Sequence, residues 1–289
     1  MSWIQPPRQG MWRLDEPDIP HQLLQRVGPL EPVWRSKAGL FTGLLKEHGW
    51  YAKFAVHSVG EPAALARLGT QSIRPSAVGL LRSEADRIRW MNAHYPSHLT
   101  PRFVRLLAFP EGEVLVTEAL PGTPASAARW RPTGELVAIA LATGLRKLHS
   151  LQSEDCPFDW SASARVAAIS TSRFRLPSAL LSVPETDIEV LSHGEAFLPN
   201  VLLSDSGVFV GHVDLARLGR ADRWADLAAA ALSLEWNYPA QSLSAFWETY
   251  GVAPDRVRLA YYKALWLAIE SQQPWLSTSS TSRSNSEPR

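Results

Sequence analysis

The chain has 289 residues, 45% of them hydrophobic, with 29 Lys and Arg against 28 Asp and Glu, enough for a sizeable core in two domains or one two-lobed domain. Balanced charge with no Lys/Arg run lacks the basic footprint of a nucleic-acid binder, and the single cysteine, Cys156, allows no intrachain disulfide and no thiol cluster for a metal. The N-terminal MSWIQPPRQG has no basic-then-apolar signal pattern, and no stretch reaches the roughly 18 apolar residues of a membrane span, so the expectation is a cytoplasmic protein with no nucleic-acid or membrane partner.

The first 30 residues are Pro-rich with scattered Trp, and show a weak helix pattern around His21–Val27. Residues 31–56 read as strand, turn, strand: VWRS, then KAGLFTG, then LLKEHGWYAKFAV, with a turn at His48-Gly49. Residues 76–93 place Leu80, Leu81, Ala85, Ile88 and Met91 at helical spacing and predict an amphipathic helix. RFVRLLAFPEGEVLVTEAL predicts a hairpin around PEGE, and a connector near 117–124 leads to a long helix over about 134–151. Beyond it lie LSHGEAFLPNVLL and VFVGHVDLARLGRADRWADLA, which predict a hairpin turning at SDSG, then more helix to about residue 269 and a polar tail of low complexity. The order is a small β-rich lobe, then a helical lobe. Nucleotide clefts commonly form between two such lobes.

Several residues fit phosphoryl transfer. That chemistry needs a cation on the phosphates, hard oxygens on Mg²⁺ and a carboxylate beside the attacking hydroxyl. Lys53 sits mid-strand in WYAKFAV, where an ammonium wants an anionic partner unless it faces water from an edge strand. Glu84, in the following helix, is a partner for it or an ordinary solvated acid. Glu195 is followed five residues later by Asn200 and nineteen residues later by Asp214. Asp214 alone is explained as a turn or cap residue. Acid, Asn and second Asp around one hairpin form a set whose hard oxygens suit Mg²⁺.

These segments resemble the aminoglycoside phosphotransferases, above all the 3′-phosphotransferases, which share the protein-kinase fold. SHGEAFLPNVLL and GHVDLARLGRADRWADLA parallel the family's HGD-x-x-x-x-N and G-x-ID-x-GR-x-G-x-AD-x-x-x-D-A patterns, and LVTEALPGTPAS and GLRKLHSL with CPFD also recur in it. The resemblance implies an α+β, two-lobed kinase-like fold. A nucleotide-binding lobe of small antiparallel sheet and one helix would span 1–118, a larger helical lobe 119–276, and a disordered tail 277–289. It implies Lys53 on the α/β-phosphates of ATP or GTP, oriented by Glu84. The backbone of Thr117 and Ala119 would face the nucleobase, Asn200 and Asp214 would bind Mg²⁺, and Glu195 would be the catalytic carboxylate. Arg217, Asp222, Arg223 and Asp226 would fix the loop as buried ion pairs. The partner implied is a small-molecule antibiotic or other sugar-containing substrate, taken up by a monomer or a dimer.

Three departures stand out. Glu195 replaces the family's Asp, which shifts the carboxylate by roughly 1 Å, a misplacement worth on the order of 10²-fold in rate. The Gly- and Ser-rich nucleotide loop is weak in RSKAGLFTGLLKEHG, with Ser36 and Thr42 as phosphate-gripping candidates. Trp266 and Leu267 replace the acidic pair that meets substrate amines, so an apolar wall is expected there. A kinase for a less cationic antibiotic, such as a nucleoside, follows. A catalytically impaired binding module and an ordinary aminoglycoside 3′-phosphotransferase stay open as alternatives.

Overall fold

The computed structural model describes residues 21–35, 40–56, 76–95, 99–170 and 177–270. Ser36 and the tail 277–289 lie outside these residues. A short helix α1 (His21–Val27) leads into β1 (Glu31–Arg35), β2 (Phe41–Leu45) and β3 (Trp50–Val56), and helix α2 (Ala77–His94) into the hairpin β4 (Phe103–Phe109) and β5 (Gly112–Glu118). The five strands form one antiparallel sheet in the order β1-β2-β3-β5-β4. The turn between β2 and β3 uses Gly49 at φ 62°, a left-handed value that costs glycine little. The second strand begins at Phe41, inside the stretch expected to turn. Its β-branched and aromatic residues suit the ladder with β3 better than a loop.

Helix α2 covers one face of the sheet. Ser76 caps it, its hydroxyl accepting the Gly79 N–H at 3.1 Å, a contact worth about 1 kcal/mol. Leu81, Ala85, Ile88 and Met91 are buried as their spacing predicts. Each of the larger ones contributes about 1.5–3 kcal/mol by leaving water. They meet Ala55 and Leu115 of the sheet, and also Leu148, Leu191, Leu215 and Leu218 of the second lobe. One apolar cluster thus joins the two lobes behind the cleft. The other sheet face packs Phe54, Val114 and Val116 against Val27 of α1.

The second lobe contains β6 (Thr123–Pro124), α3 (Gly134–His149), α4 (Ala162–Ser170), β7 (Glu189–Ser192), β8 (Val201–Leu203), β9 (Phe209–His212) and β10 (Gly219–Asp222). It ends in α5 (Trp224–Asn237), α6 (Gln241–Tyr250) and α7 (Arg256–Glu270). Its main core runs through Leu141, Leu145, Trp224, Leu227, Phe246 and Leu265. The expected hairpin at 204–207 is present between β8 and β9. The result is the α+β architecture of a small sheet with one covering helix above a larger helical body. Among the described residues no helix is long and apolar enough to cross a membrane.

Candidate active site

Lys53 stands in the middle of an interior strand, paired with Thr42 on one side and Leu115 on the other. This rules out a lysine facing water from a sheet edge. Its ammonium lies 2.6 Å from Glu84 Oε2 and 3.1 Å from Asp214 Oδ1. Burial alone would lower the Lys53 pKa, but the charges of Asp214 and Glu84 and their hydrogen bonds overcome it and raise the value. Burial likewise pushes Asp214 up, yet the Lys53 ammonium holds it below the usual carboxylate range. Sheet, helix and second lobe thus meet at one cation. Thr42, the direct cross-strand neighbour of Lys53, projects from the same sheet face.

Two further bonds brace Asp214 from α2. The Ser83 hydroxyl donates to the Ala216 carbonyl at 3.0 Å, and the buried Arg87 guanidinium donates to the Leu218 carbonyl at 2.6 Å. Arg87 also lies over the Phe158 ring, 4.3 Å from its centroid. Asp214 itself adopts φ 63°, the sole positive φ outside glycine among the described residues. Asp tolerates the left-handed region better than most residues. It lies two residues past the end of β9, and its side chain is 41% exposed.

The His193-Gly194-Glu195 turn is held from below by one buried carboxylate. Asp226 accepts the His193 N–H at 2.6 Å and the Gly194 N–H at 2.9 Å, and meets His149 Nε2 at 3.0 Å. Burial would raise the Asp226 carboxyl, but the hydrogen bond and charge of His149, with His193, hold it at about 2. Gly194 sits at φ 83°, and a Cβ there would lie 2.2 Å from the Arg217 carbonyl oxygen, so a side chain is excluded twice. His193 Nδ1 accepts the Glu195 N–H at 3.2 Å, which leaves Nε2 to carry the proton and donate to the Val213 carbonyl at 3.1 Å. Burial lowers the His193 pKa and keeps this neutral form. The ring therefore ties the Glu195 turn to the residue before Asp214.

Asn200 closes the same turn. Its side-chain amide donates to the Glu195 carbonyl at 2.9 Å, and its own carbonyl accepts the Val213 N–H at 3.0 Å. With Nδ2 engaged, Oδ1 is left as the free ligand atom of this side chain. Asn200 and Asp214 thus offer two hard oxygens. That number is what Mg²⁺ takes from protein when phosphates and water complete its shell.

On the other side of the turn, Glu195 Oε1 pairs with Arg217 Nη1 at 2.6 Å, and Arg217 also reaches Glu270 Oε1 at 3.3 Å. Burial raises the Glu195 carboxyl to about 7; the Arg217 charge opposes this, while Asp214 and Glu270 add to it. Trp266 packs on Phe197 with ring centroids 4.7 Å apart, and Trp236 joins both rings at 6.1 and 5.8 Å. Leu267 lies on the adjoining strip of α7 and is 39% exposed.

The structure thus brings Lys53, Glu84 and Asp214 into direct contact, joins the Glu195 turn and Asn200 to the residue before Asp214, and sets Trp266 against Phe197. Four readings need correction. The Ala119 N–H is already donated to the Gly49 carbonyl at 2.9 Å, so this donor does not face a nucleobase. Thr117 is paired within the sheet with Tyr51 and Phe103. Asp222 and Asp226 act by accepting backbone N–H groups rather than as arginine ion pairs, because the turns they cap present unsatisfied donors; Asp222 takes those of Asp187 and Trp224. Arg217 does form the expected buried ion pair, with Glu195 and Glu270 as its partners. The wall around Trp266 is not purely apolar, since Glu270 enters it. Glu270 and Trp236 lie in no motif, and Phe197 falls on an unspecified position of one. Only the i,i+4 spacing of Trp266 and Glu270 on α7 signals that they share a face.

The model of the phosphotransferase enzyme family matches residues 47–262, a span that includes Lys53, Glu84, Glu195, Asn200, Asp214 and Arg217. The chain belongs to this family. It is a kinase-type O-phosphotransferase. An aminoglycoside 3′-phosphotransferase of Streptomyces fradiae is 34% identical over 238 residues, 71% of this chain and 85% of the relative. A streptomycin 3″-kinase of Streptomyces griseus is 31% identical, over 63% of this chain and 77% of the relative. Among solved structures, a type VIII aminoglycoside 3′-phosphotransferase matches with a TM-score of 0.62 at 28% identity, covering 85% of this chain and 96% of that one. A Streptomyces rimosus aminoglycoside phosphotransferase in complex with ADP and streptomycin matches with a TM-score of 0.61 at 26% identity, over 85% and 95% of the two chains. The fold is that of the kinase-like phosphotransferases.

Proposed function

We propose that this phosphotransferase moves the γ-phosphoryl group of ATP or GTP to a hydroxyl of a sugar-bearing antibiotic, with residues 1–118 as the nucleotide lobe and 119–276 as the acceptor lobe. The observation that carries this reading is the Lys53 ammonium, 2.6 Å from Glu84 and 3.1 Å from Asp214, which joins both lobes at one point. Lys53 would hold the α/β-phosphates, with Thr42 on the same sheet face beside it. Asn200 and Asp214 would hold Mg²⁺. The bound metal nucleotide supplies the phosphoryl group and neutralises its charge. Glu195 orients the acceptor hydroxyl and takes its proton as the transfer completes. Its carboxyl, raised by burial, suits a proton acceptor near neutral pH.

The acceptor lies against Trp266, Phe197 and Trp236, whose ring faces suit a flat or apolar group. A nucleoside or another weakly cationic antibiotic fits this wall. A second reading, an ordinary cationic aminoglycoside, is favoured by the carboxylate of Glu270 one helical turn from Trp266, and by the names of the relatives above. Transfer from γ-labelled ATP and GTP to a nucleoside antibiotic, streptomycin and kanamycin tests both. Transfer to the nucleoside with kanamycin inert supports the first reading. Rapid transfer to kanamycin replaces it with the second. Failure with every acceptor together with no nucleotide binding would leave a non-catalytic binding module.

A further inference from the structure

Arg217 Nη1 lies 2.6 Å from Glu195 Oε1 and 3.3 Å from Glu270 Oε1, so one guanidinium bridges the Glu195 turn and the last residue of α7. The same helix reaches that turn a second time. Trp266, four residues before Glu270 and therefore on the same face, packs its ring at a tilt against Phe197, two residues past Glu195. The Trp160 ring supports Arg217 from another side, 5.6 Å from the guanidinium carbon. Arg217 itself is buried.

We propose that Glu270 is a positioning residue for Glu195, acting through Arg217. This rests on the reading of Glu195 as the catalytic carboxylate. Glutamate has one more methylene and one more rotatable bond than aspartate, so its carboxylate samples more positions around the same backbone. A guanidinium held by a single carboxylate follows that carboxylate as it moves. Held by a second one on a packed helix, it stays in place and restrains the first. The end of α7 thus supplies the restraint that the longer side chain of Glu195 requires, without Glu270 touching the nucleotide.

The test uses the full chain and follows the release of ADP from Mg-ATP with water as the acceptor. Glu270→Ala should lower kcat about tenfold, part of the roughly 10²-fold that a 1 Å misplacement costs, while KM for ATP stays within about twofold. Glu270→Gln keeps a carbonyl for Arg217 and should lose less. In a Glu195→Gln background the substitution at 270 should have no further effect. Wild-type kcat in Glu270→Ala, or an equal fold loss in the Glu195→Gln background, would overturn the proposal. If Glu195→Gln itself is unaffected, the catalytic reading of Glu195 falls first. If Glu195→Gln is slow and Glu270→Ala is not, only the role of Glu270 falls. A crystal structure of Glu270→Ala gives a readout independent of rate: Arg217 and Glu195 should have shifted apart, and an unchanged Arg217–Glu195 pair would overturn the restraint.

Discussion

Two cations organise the cleft, and each sits between two carboxylates. Lys53 has Glu84 at 2.6 Å and Asp214 at 3.1 Å; Arg217 has Glu195 at 2.6 Å and Glu270 at 3.3 Å. The first set draws on the sheet, α2 and the second lobe, and α2 is itself tied to the 214–218 segment by Ser83 and Arg87. The second set lies within the helical lobe and ends on the final residue of α7. The Lys53 set is braced across both lobes, whereas the Arg217 set hangs on one helix end. Changes in the first set should therefore stop the reaction, and changes in the second should retune it.

The largest effect is expected at Asp214. Asp214→Ala removes the proposed metal oxygen and one partner of Lys53, and should bring γ-phosphoryl transfer to background while the far-UV circular dichroism stays native. Turnover near wild type in that variant would move the metal site elsewhere.

A smaller effect is expected beneath the turn. Asp226→Asn weakens the acceptor of two backbone N–H groups and should destabilise the chain by about 1–3 kcal/mol, the cost of leaving buried partners poorly paired. The carboxyl is held at about 2, below its unfolded value near 3.9, so its contribution is present above pH ~4 and is lost as the pH falls through about 2. Thermal melts of wild type and Asp226→Asn should therefore differ most above pH ~4 and converge towards pH 2. A gap that widens with falling pH would reverse the assigned sign.

The smallest effect belongs to the rings. Trp236→Ala should raise KM for the acceptor by about tenfold or less, the worth of one aromatic contact, with no change in nucleotide affinity. An equal loss of nucleotide affinity would show that the cluster supports the fold rather than the acceptor.

The same contrast governs how much the amino-acid sequence reveals. Lys53, Glu195, Asn200 and Asp214 lie in short motifs where a polar or charged group is embedded in apolar residues, so they stand out locally. The α2 pattern is equally plain, because its apolar face repeats with the helical period over the whole helix. Glu270 stands 75 residues after Glu195, and only its spacing from Trp266 sets it apart. It reaches Arg217 only because α5 and α7 pack side by side. Phe197 and Trp236 read as ordinary core or surface rings until that packing is known. The engaged N–H of Ala119 was hidden for a similar reason: its acceptor, Gly49, lies in a turn on a different strand pair.

The central claim is that Glu195 works as the catalytic base in place of an aspartate, and Glu195→Gln tests it most directly. The substitution keeps size and hydrogen bonding but removes the proton acceptor. Single-turnover transfer from Mg-ATP at saturating nucleotide should fall on the order of 10²-fold, within the range for loss of a general base, with nucleotide affinity unchanged. Wild-type turnover in Glu195→Gln would contradict it and show that the carboxylate in this turn is not the one that takes the proton.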